Sequence, residues 1–223
     1  MIRPKRWSYS ALSTYEECAA KYAYSYIYKV PVDDTSAAME RGTRLHGLCE
    51  DYMRDPTMPV PYDVRKIGRD LDRFRTAGGI PEEVWLVTKD WETTDDQDKA
   101  WVKGIVDLHY LEGETLKLFD YKSGREYPTH RGQLELYAIL GMLKYPHAQR
   151  AESGAVYIDG GYTGQEGSII RQMLPHLIGK WSERALRMEA DVDFIANPGS
   201  ACRWCPYKSS LGGPCGESAK AGV

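Results

Sequence analysis

Two short segments that alternate apolar and polar residues, Val102 to Leu108 and Leu116 to Lys122, flank a turn at Glu112-Gly113-Glu114. Alternation with period two is the signature of a strand, so this stretch is predicted to fold as a β-hairpin. On the second strand Leu116, Leu118, Asp120 and Lys122 share one face. On the first, Val102, Val106 and Leu108 are expected to oppose Ile105 and Asp107. Register decides whether Asp107 meets Asp120, because a slip of one residue sends a side chain through to the other face. A two-residue loop at Gly113-Glu114, with glycine in the first position that a type II′ turn requires, sets Asp107 directly opposite Asp120. Their Cβ atoms are then expected roughly 4.5–5.5 Å apart. Two carboxylates that close repel unless a cation lies between them, and hard oxygen ligands suit Mg²⁺ or Mn²⁺. Lys122, aimed the same way as Asp120, can position or activate water and stabilise charge building on a phosphate. The bland alternative is an exposed hairpin with scattered charges.

Two helical runs add polar groups that could join this pair. From Ser36 to Arg54, Leu45, Leu48, Cys49 and Tyr52 repeat at helical spacing and define a buried stripe, with His46 and Glu50 beside it at i and i+4. Gly42, a turn earlier, would let this face approach another backbone closely. From His130 to Tyr145, Gln133 and Tyr137 stand at i and i+4 among Leu134, Ile139, Leu140 and Leu143. Alone, His46 reads as a structural histidine, Glu50 as a solvated charge, and Gln133 with Tyr137 as a satisfied core hydrogen bond.

The cysteines form a second pattern. Cys202-x2-Cys205-Pro206 and Cys215 crowd the C-terminal end, Cys18 sits in the first predicted helix, and four thiolates can hold one metal centre. Cys49 lies on a buried stripe and is expected only to pack there. Nothing resembles a signal peptide and five cysteines leave one unpaired, which argues against a disulfide framework.

Taken in order, Gly42-x3-His46-x3-Glu50, Gly-Ile-Val-Asp107, Asp120-Tyr-Lys122 and Gln133-x3-Tyr137 resemble the RecB-like branch of the PD-(D/E)XK nucleases. The opening Ser8-Tyr-Ser10-Ala-Leu12-x2-Tyr15-x2-Cys18-x3-Tyr22 is similar to that branch's iron–sulfur members, including AddB-type recombination nucleases and the CRISPR-adaptation nucleases. The resemblance spans nearly the whole chain and implies metal-dependent phosphodiester hydrolysis of DNA. It implies that His46, Asp107 and Asp120 bind Mg²⁺ or Mn²⁺ together with a backbone carbonyl near Tyr121. Lys122 becomes the catalytic lysine, with Gln133 and Tyr137 supporting the site or the DNA. The second acid is Asp120 where many relatives carry Glu, which shortens its reach by a methylene. One distant N-terminal cysteine plus three near the C-terminus resembles a [4Fe–4S] clasp formed by Cys18, Cys202, Cys205 and Cys215. The long gap before Cys215 makes it the least secure ligand. A structural Zn²⁺ is the alternative for the same four thiolates.

At 223 residues, with no run approaching a membrane span, the chain fits one globular nuclease domain. The expected fold is α/β, a central mixed β-sheet flanked by helices in a restriction-endonuclease-like core over about 36–196, with an iron–sulfur lobe from about 8–30 and 197–216. The helices are predicted near Ser10–Tyr28, Ser36–Arg54, Val64–Ala77, His130–Tyr145 and Pro175–Ala196. Strands outside the hairpin are predicted near Val84–Lys89, Ala155–Ile158 and Ser168–Met173, with a mobile loop at Trp91–Lys99 and a hairpin connection from Asp159 through Gly167. A net charge of −3 makes basic phosphate contacts local, with Arg3, Lys5, Arg6, Arg41, Arg44, Lys122, Arg125 and Arg131 as candidates. Tyr15, Tyr22 and Tyr26 fall on one stripe and read as core.

The function expected from these features is a DNA exonuclease of recombination, repair or phage replication acting on single strands or free ends. Its partners would be DNA and recombination or replication proteins, in a reducing cytoplasmic or nucleoid-associated setting without a membrane. The alternatives are a DNA-binding adaptor that keeps the fold without catalysis, an endonuclease stabilised by zinc rather than an iron–sulfur cluster, and a zinc or redox protein in which the cysteines are the function.

Overall fold

The structure, a computed structural model, describes residues 4–32, 37–127 and 129–216, with the side chains of Thr129, Gln165 and Glu166 excepted. Of the basic candidates, Arg3 lies outside the described residues. The chain divides into two compact units, one of residues 36–179 and one of residues 1–35 with 180–223.

The larger unit is built on a five-stranded sheet in the order β1 (Ile80–Val87), β2 (Val102–Glu112), β3 (Thr115–Lys122), β4 (Arg150–Tyr157) and β5 (Tyr162–Ile170). Neighbouring strands are antiparallel except β3 and β4, which run parallel. A parallel pair needs a crossover. Here it contains the helix of Thr129–Lys144, called α5 because four helices precede it: α1 (Tyr9–Glu17), α2 (Ala19–Tyr22), α3 (Ala37–Arg54) and α4 (Gly68–Thr76). Helix α5 packs on one face of the sheet, while α3 and α4 cover the other, giving the α/β arrangement with a mixed central sheet that the sequence predicts. Leu45, Cys49, Tyr52, Leu71 and Phe74 from those two helices meet Leu108, Tyr121 and Val156 from the strands in one buried cluster. Each such fully buried large side chain contributes roughly 1.5–3 kcal/mol relative to exposure.

The β2–β3 turn is the two-residue loop expected: Glu112 pairs with Thr115, Gly113 has φ +60°, and Glu114 is not among the residues of positive φ. That is the type II′ pattern, which puts its one left-handed position on glycine. Leu116 and Lys122 do face α5 together, while Phe119 and Tyr121 turn to the opposite core.

Alternation along β2 departs from the expectation. A Cβ on Gly104 would meet Leu140 and Tyr137 of α5, yet Leu108, of the same parity, packs in the core against α3 and α4. The phase change falls at Asp107. Pairing with β1 is recorded for Val106 with Glu83 and Leu108 with Pro81 but skips the rung between them, where Glu82 has φ +28°. Leu108 thus lies on the face opposite Gly104, although the β1–β2 register is the same on both sides of the missing rung.

The first predicted helix is interrupted. Helix α1, capped by Ser8, ends at Cys18, which is extended (φ −161°, ψ 111°), before α2 and a π-helical turn over Ala23–Ile27. Tyr22 is buried and makes ring contacts with Tyr15 and Tyr26 at 5.7 and 5.3 Å. The charged helix begins with a 3-10 stretch, Tyr62–Ile67, ahead of α4. The last helix, α6, spans Leu174–Ala190. Residues 91–99 are less loose than expected, since Thr94 N–H donates to the Leu86 carbonyl at 3.0 Å and the buried Trp91 packs edge-on against Trp101. The β4–β5 connection is short, because β5 already starts at Tyr162.

Candidate active site

Asp120 sits on β3 with its side chain buried beneath α5. Gln133, on the first turns of α5, donates from Nε2 to Asp120 Oδ1 at 2.9 Å and to the Tyr137 hydroxyl at 3.0 Å. Its Oε1 accepts from Lys122 Nζ at 2.9 Å. The i, i+4 spacing of Gln133 and Tyr137 therefore produces the hydrogen bond expected of it, and the same glutamine also ties together Asp120 and Lys122 of the strand. Lys122 Nζ lies 2.5 Å from Asp120 Oδ2, but Oδ2 is buried without a partner in hydrogen-bonding geometry.

Asp107 reaches this group from β2. Its Oδ2 accepts the main-chain N–H of Tyr121 at 2.8 Å, and His46 Nδ1 of α3 lies 3.3 Å from the same oxygen. The recorded β2–β3 ladder ends at Leu108 with Phe119. Asp107 and Asp120 would form the next rung, but the strands no longer pair there, so the direct opposition predicted from the turn becomes a carboxylate turned onto the β3 main chain.

The electrostatics follow from this crowding. Burial, reinforced by the Asp107 charge, pushes the Asp120 carboxyl up to about 6 against the counteracting Lys122 ammonium. For His46, burial acts downward but is outweighed by the hydrogen bond and charge of Asp107, so its pKa is raised. Burial, with the Asp120 charge, raises the Tyr137 phenol and keeps it neutral. The arrangement brings together two carboxylates, an ammonium, an imidazole and an amide, and can hold a cation or polarise a bound anion. As the side chains stand, no three His, Cys, Asp or Glu groups among the described residues are placed to hold a metal ion.

Other expected participants are arranged differently. Glu50 pairs with Arg54 one turn along α3. Gly42 approaches the Ser123 side chain, 3.2 Å from where a Cβ would lie, rather than a backbone. The Tyr121 ring faces away from Asp120 into the α3–α4 core, edge-on to His46. Arg41 is committed to Asp159 by contacts of 3.0 and 2.6 Å, and Arg44 to Asp63 at 2.7 Å. Sequence reasoning missed Asp159 as the counter-ion of Arg41; the two are far apart in the chain and nothing in their local patterns links them.

In the smaller unit, Cys18, Cys202, Cys205 and Cys215 all line one apolar cavity of about 20 Å³. Cys18 Sγ accepts the Asn197 N–H and Cys202 Sγ the Gly199 N–H, each at 3.4 Å. Cys215 is held by its N–H to the Tyr207 carbonyl at 2.9 Å. Cys49 is fully buried elsewhere, in the α3 core. Among the described residues no helix is long and apolar enough to cross a membrane.

A family model described as the PD-(D/E)XK nuclease superfamily matches residues 6–210. A search of curated proteins gave no match. Among solved structures, one named "Putative exonuclease" from Eubacterium rectale is similar at 12% identity and a TM-score of 0.52, covering 98% of this chain and 94% of that one. Another, SSO0001, is similar at 13% identity and a TM-score of 0.45, covering 93% and 86%.

Proposed function

Since the chain belongs to the PD-(D/E)XK nuclease superfamily, we propose that it is a metal-dependent DNA exonuclease of the RecB-like iron–sulfur branch, acting on single strands or free ends. The observation that carries this reading is the pairing of two acidic contacts across β2 and β3: the buried Asp120 Oδ2 lies 2.5 Å from the Lys122 ammonium, and Asp107 Oδ2 lies 3.3 Å from His46 Nδ1 while accepting the Tyr121 N–H. An adaptor without catalysis would have no need to keep Asp120 buried with its pKa raised.

The donor types suit a hard divalent cation, two carboxylates and an imidazole with a main-chain carbonyl near Tyr121, although binding would require these side chains to draw closer than they stand. Bound by His46, Asp107, Asp120 and that carbonyl, Mg²⁺ or Mn²⁺ would supply Lewis-acid polarisation of a phosphodiester. The protein's own groups set the rest. Gln133 fixes the Asp120 carboxylate through Oδ1 and keeps the Lys122 ammonium beside it. Lys122 then presents a positive charge where negative charge develops on the phosphate, and orients the attacking water. With a pKa of about 6, Asp120 is ionised at neutral pH.

For the cysteines, the four thiols lining one cavity have the donor chemistry of a [4Fe–4S] cluster, with Zn²⁺ as the alternative. The N–H groups of Asn197 and Gly199, already directed at Sγ atoms, are the donors that stabilise thiolate charge. Such a centre would act structurally, tying Cys18 to the C-terminal loop, and would place the protein in a reducing, cytoplasmic or nucleoid-associated compartment. Recombination, repair or phage replication is the proposed setting.

A time course on end-labelled single- and double-stranded DNA with Mg²⁺ or Mn²⁺ tests this reading. Release of mono- or short oligonucleotides from the ends is expected; intact substrate under all metal conditions would favour the adaptor.

A further inference from the structure

Lys122, Tyr157 and Tyr162 stand in one cross-strand row, since Lys122 pairs with Tyr157 on β4 and Tyr157 with Tyr162 on β5. Paired residues share a face, so all three lie on the α5 side of the sheet. At about 4.8 Å per strand, Tyr162 is about 10 Å from Lys122 across the sheet. The Tyr162 and Tyr157 rings stack at 4.9 Å with an interplanar angle of 28°. Tyr157 is buried and meets His130 at the start of α5, its hydroxyl 3.1 Å from Nδ1, and Tyr127 lies edge-on to His130 at 5.7 Å. The two outer rings stay open to solvent, Tyr162 at 45% and Tyr127 at 55% exposure.

The platform is built rather than incidental. A Cβ on Gly160 would fall 2.5 Å from the Tyr162 ring, so only glycine there lets the ring seat on Tyr157. Asp159, between Tyr157 and Tyr162 in sequence, is paired with Arg41, the turn before α5 exposes Arg125 and Glu126, and the first turn of α5 exposes Arg131. Wet aromatic faces near cationic side chains, continuous with a group suited to phosphate, match a nucleotide strand whose bases are unstacked. Duplex DNA keeps its bases inside and offers no such face.

We propose that Tyr162, supported by Tyr157 and joined by Tyr127, is a stacking subsite for an unpaired nucleobase next to the phosphate at Lys122. The proposal rests on the nuclease reading for the identity of its ligand, but binding tests it separately from cleavage. Fluorescence anisotropy in EDTA would compare a short oligothymidylate, an abasic strand with the same number of phosphates, and a duplex. The wild type is expected to bind oligothymidylate about 10-fold or more tightly than the abasic strand. Tyr162→Ala should bring that ratio close to one while the abasic affinity holds, and Tyr162→Phe should restore it. Tyr162→Leu keeps an apolar cover over Tyr157 without a π-face, so it must behave as the alanine variant does even if the latter folds poorly. A wild type that binds base-bearing and abasic strands equally, or binds neither, overturns the subsite, as does a leucine variant with the full preference. If DNA is nonetheless cut, the nuclease reading stands; if the preference is present but nothing is cut, the nuclease reading falls and the subsite does not.

Discussion

Gln133 Nε2 donates to Asp120 Oδ1 at 2.9 Å while Gln133 Oε1 accepts from Lys122 at the same distance. One amide thus fixes both Asp120 and Lys122 of β3 from the first turns of α5. Gln133→Glu reverses this logic, because a carboxylate cannot donate to Asp120 and adds a third negative charge beside Asp107. We expect kcat for DNA cleavage to fall by about 10²-fold, the scale of losing one preorganised donor. Gln133→Leu should lose a similar factor yet melt close to the wild type. Steady-state kinetics with thermal melts check this; full activity in Gln133→Glu would remove the positioning role.

His46→Ala should raise the Mg²⁺ or Mn²⁺ concentration needed for half-maximal activity by about 10-fold or more, within the range for loss of a group that supports a metal site. Imidazole is softer than carboxylate, so the loss should be felt with Mn²⁺ at least as strongly as with Mg²⁺. Metal titrations of activity give the answer. An unchanged titration curve would leave His46 as only the charge partner of Asp107.

Replacing any of Cys18, Cys202, Cys205 or Cys215 by alanine should bleach anaerobically purified protein and lower its solubility. Cys49→Ala should do neither, since burial pushes its thiol up to about 12 and it packs in the α3 core. Metal analysis with visible absorption separates iron from zinc. Colourless protein carrying one zinc establishes the alternative, and metal-free protein that folds removes the clasp.

His109, fully buried between Trp85 and Tyr145, contributes a pH dependence of opposite sign to that of Asp120. Burial, only partly offset by Glu83, lowers its pKa to about 4, and Nδ1 has no hydrogen-bond partner. The unfolded chain therefore binds more protons between about 4 and 6.5, and this contribution to stability is present above 6.5 and lost as pH falls through 4. The effect is on the order of 3 kcal/mol at full protonation. Asp120, with its pKa raised, runs the other way: its burial penalty is absent below about 4 and grows as pH rises toward 6. Urea unfolding in EDTA from pH 4 to 7 should show that His109→Gln loses stability with acidification less steeply than the wild type. Parallel curves would contradict a histidine held neutral.

The hairpin was legible because its information is local: the glycine at the head of a two-residue loop fixed the register, and period two placed Asp120 and Lys122 together. Gln133 and Tyr137 were legible for the same reason, as neighbours on one helix turn. The phase change at Asp107 was not, because it falls between β1 and β2 at a missing rung where Glu82 has positive φ, a backbone conformation that the alternation of residues does not report. The break of the first helix at Cys18 was also hidden, since nothing around it carries glycine or proline. Arg41 with Asp159 belongs to contacts between distant segments, which periodicity cannot reach. The cysteine spacing pointed to one shared metal centre; the four thiols do line one cavity, but nothing local in the sequence reports the conformation that brings them there.

The most direct test of the account is cleavage of end-labelled single-stranded DNA by wild type and Asp120→Asn, each stripped of metal and then supplied with Mn²⁺. The wild type should be inert in EDTA and regain cleavage with metal. Asp120→Asn should stay at least roughly 10³-fold slower at saturating Mn²⁺ while melting at or above the wild-type temperature in EDTA, because it removes a buried charge that Asp107 repels. Near wild-type turnover by the folded Asp120→Asn protein would contradict the proposed site.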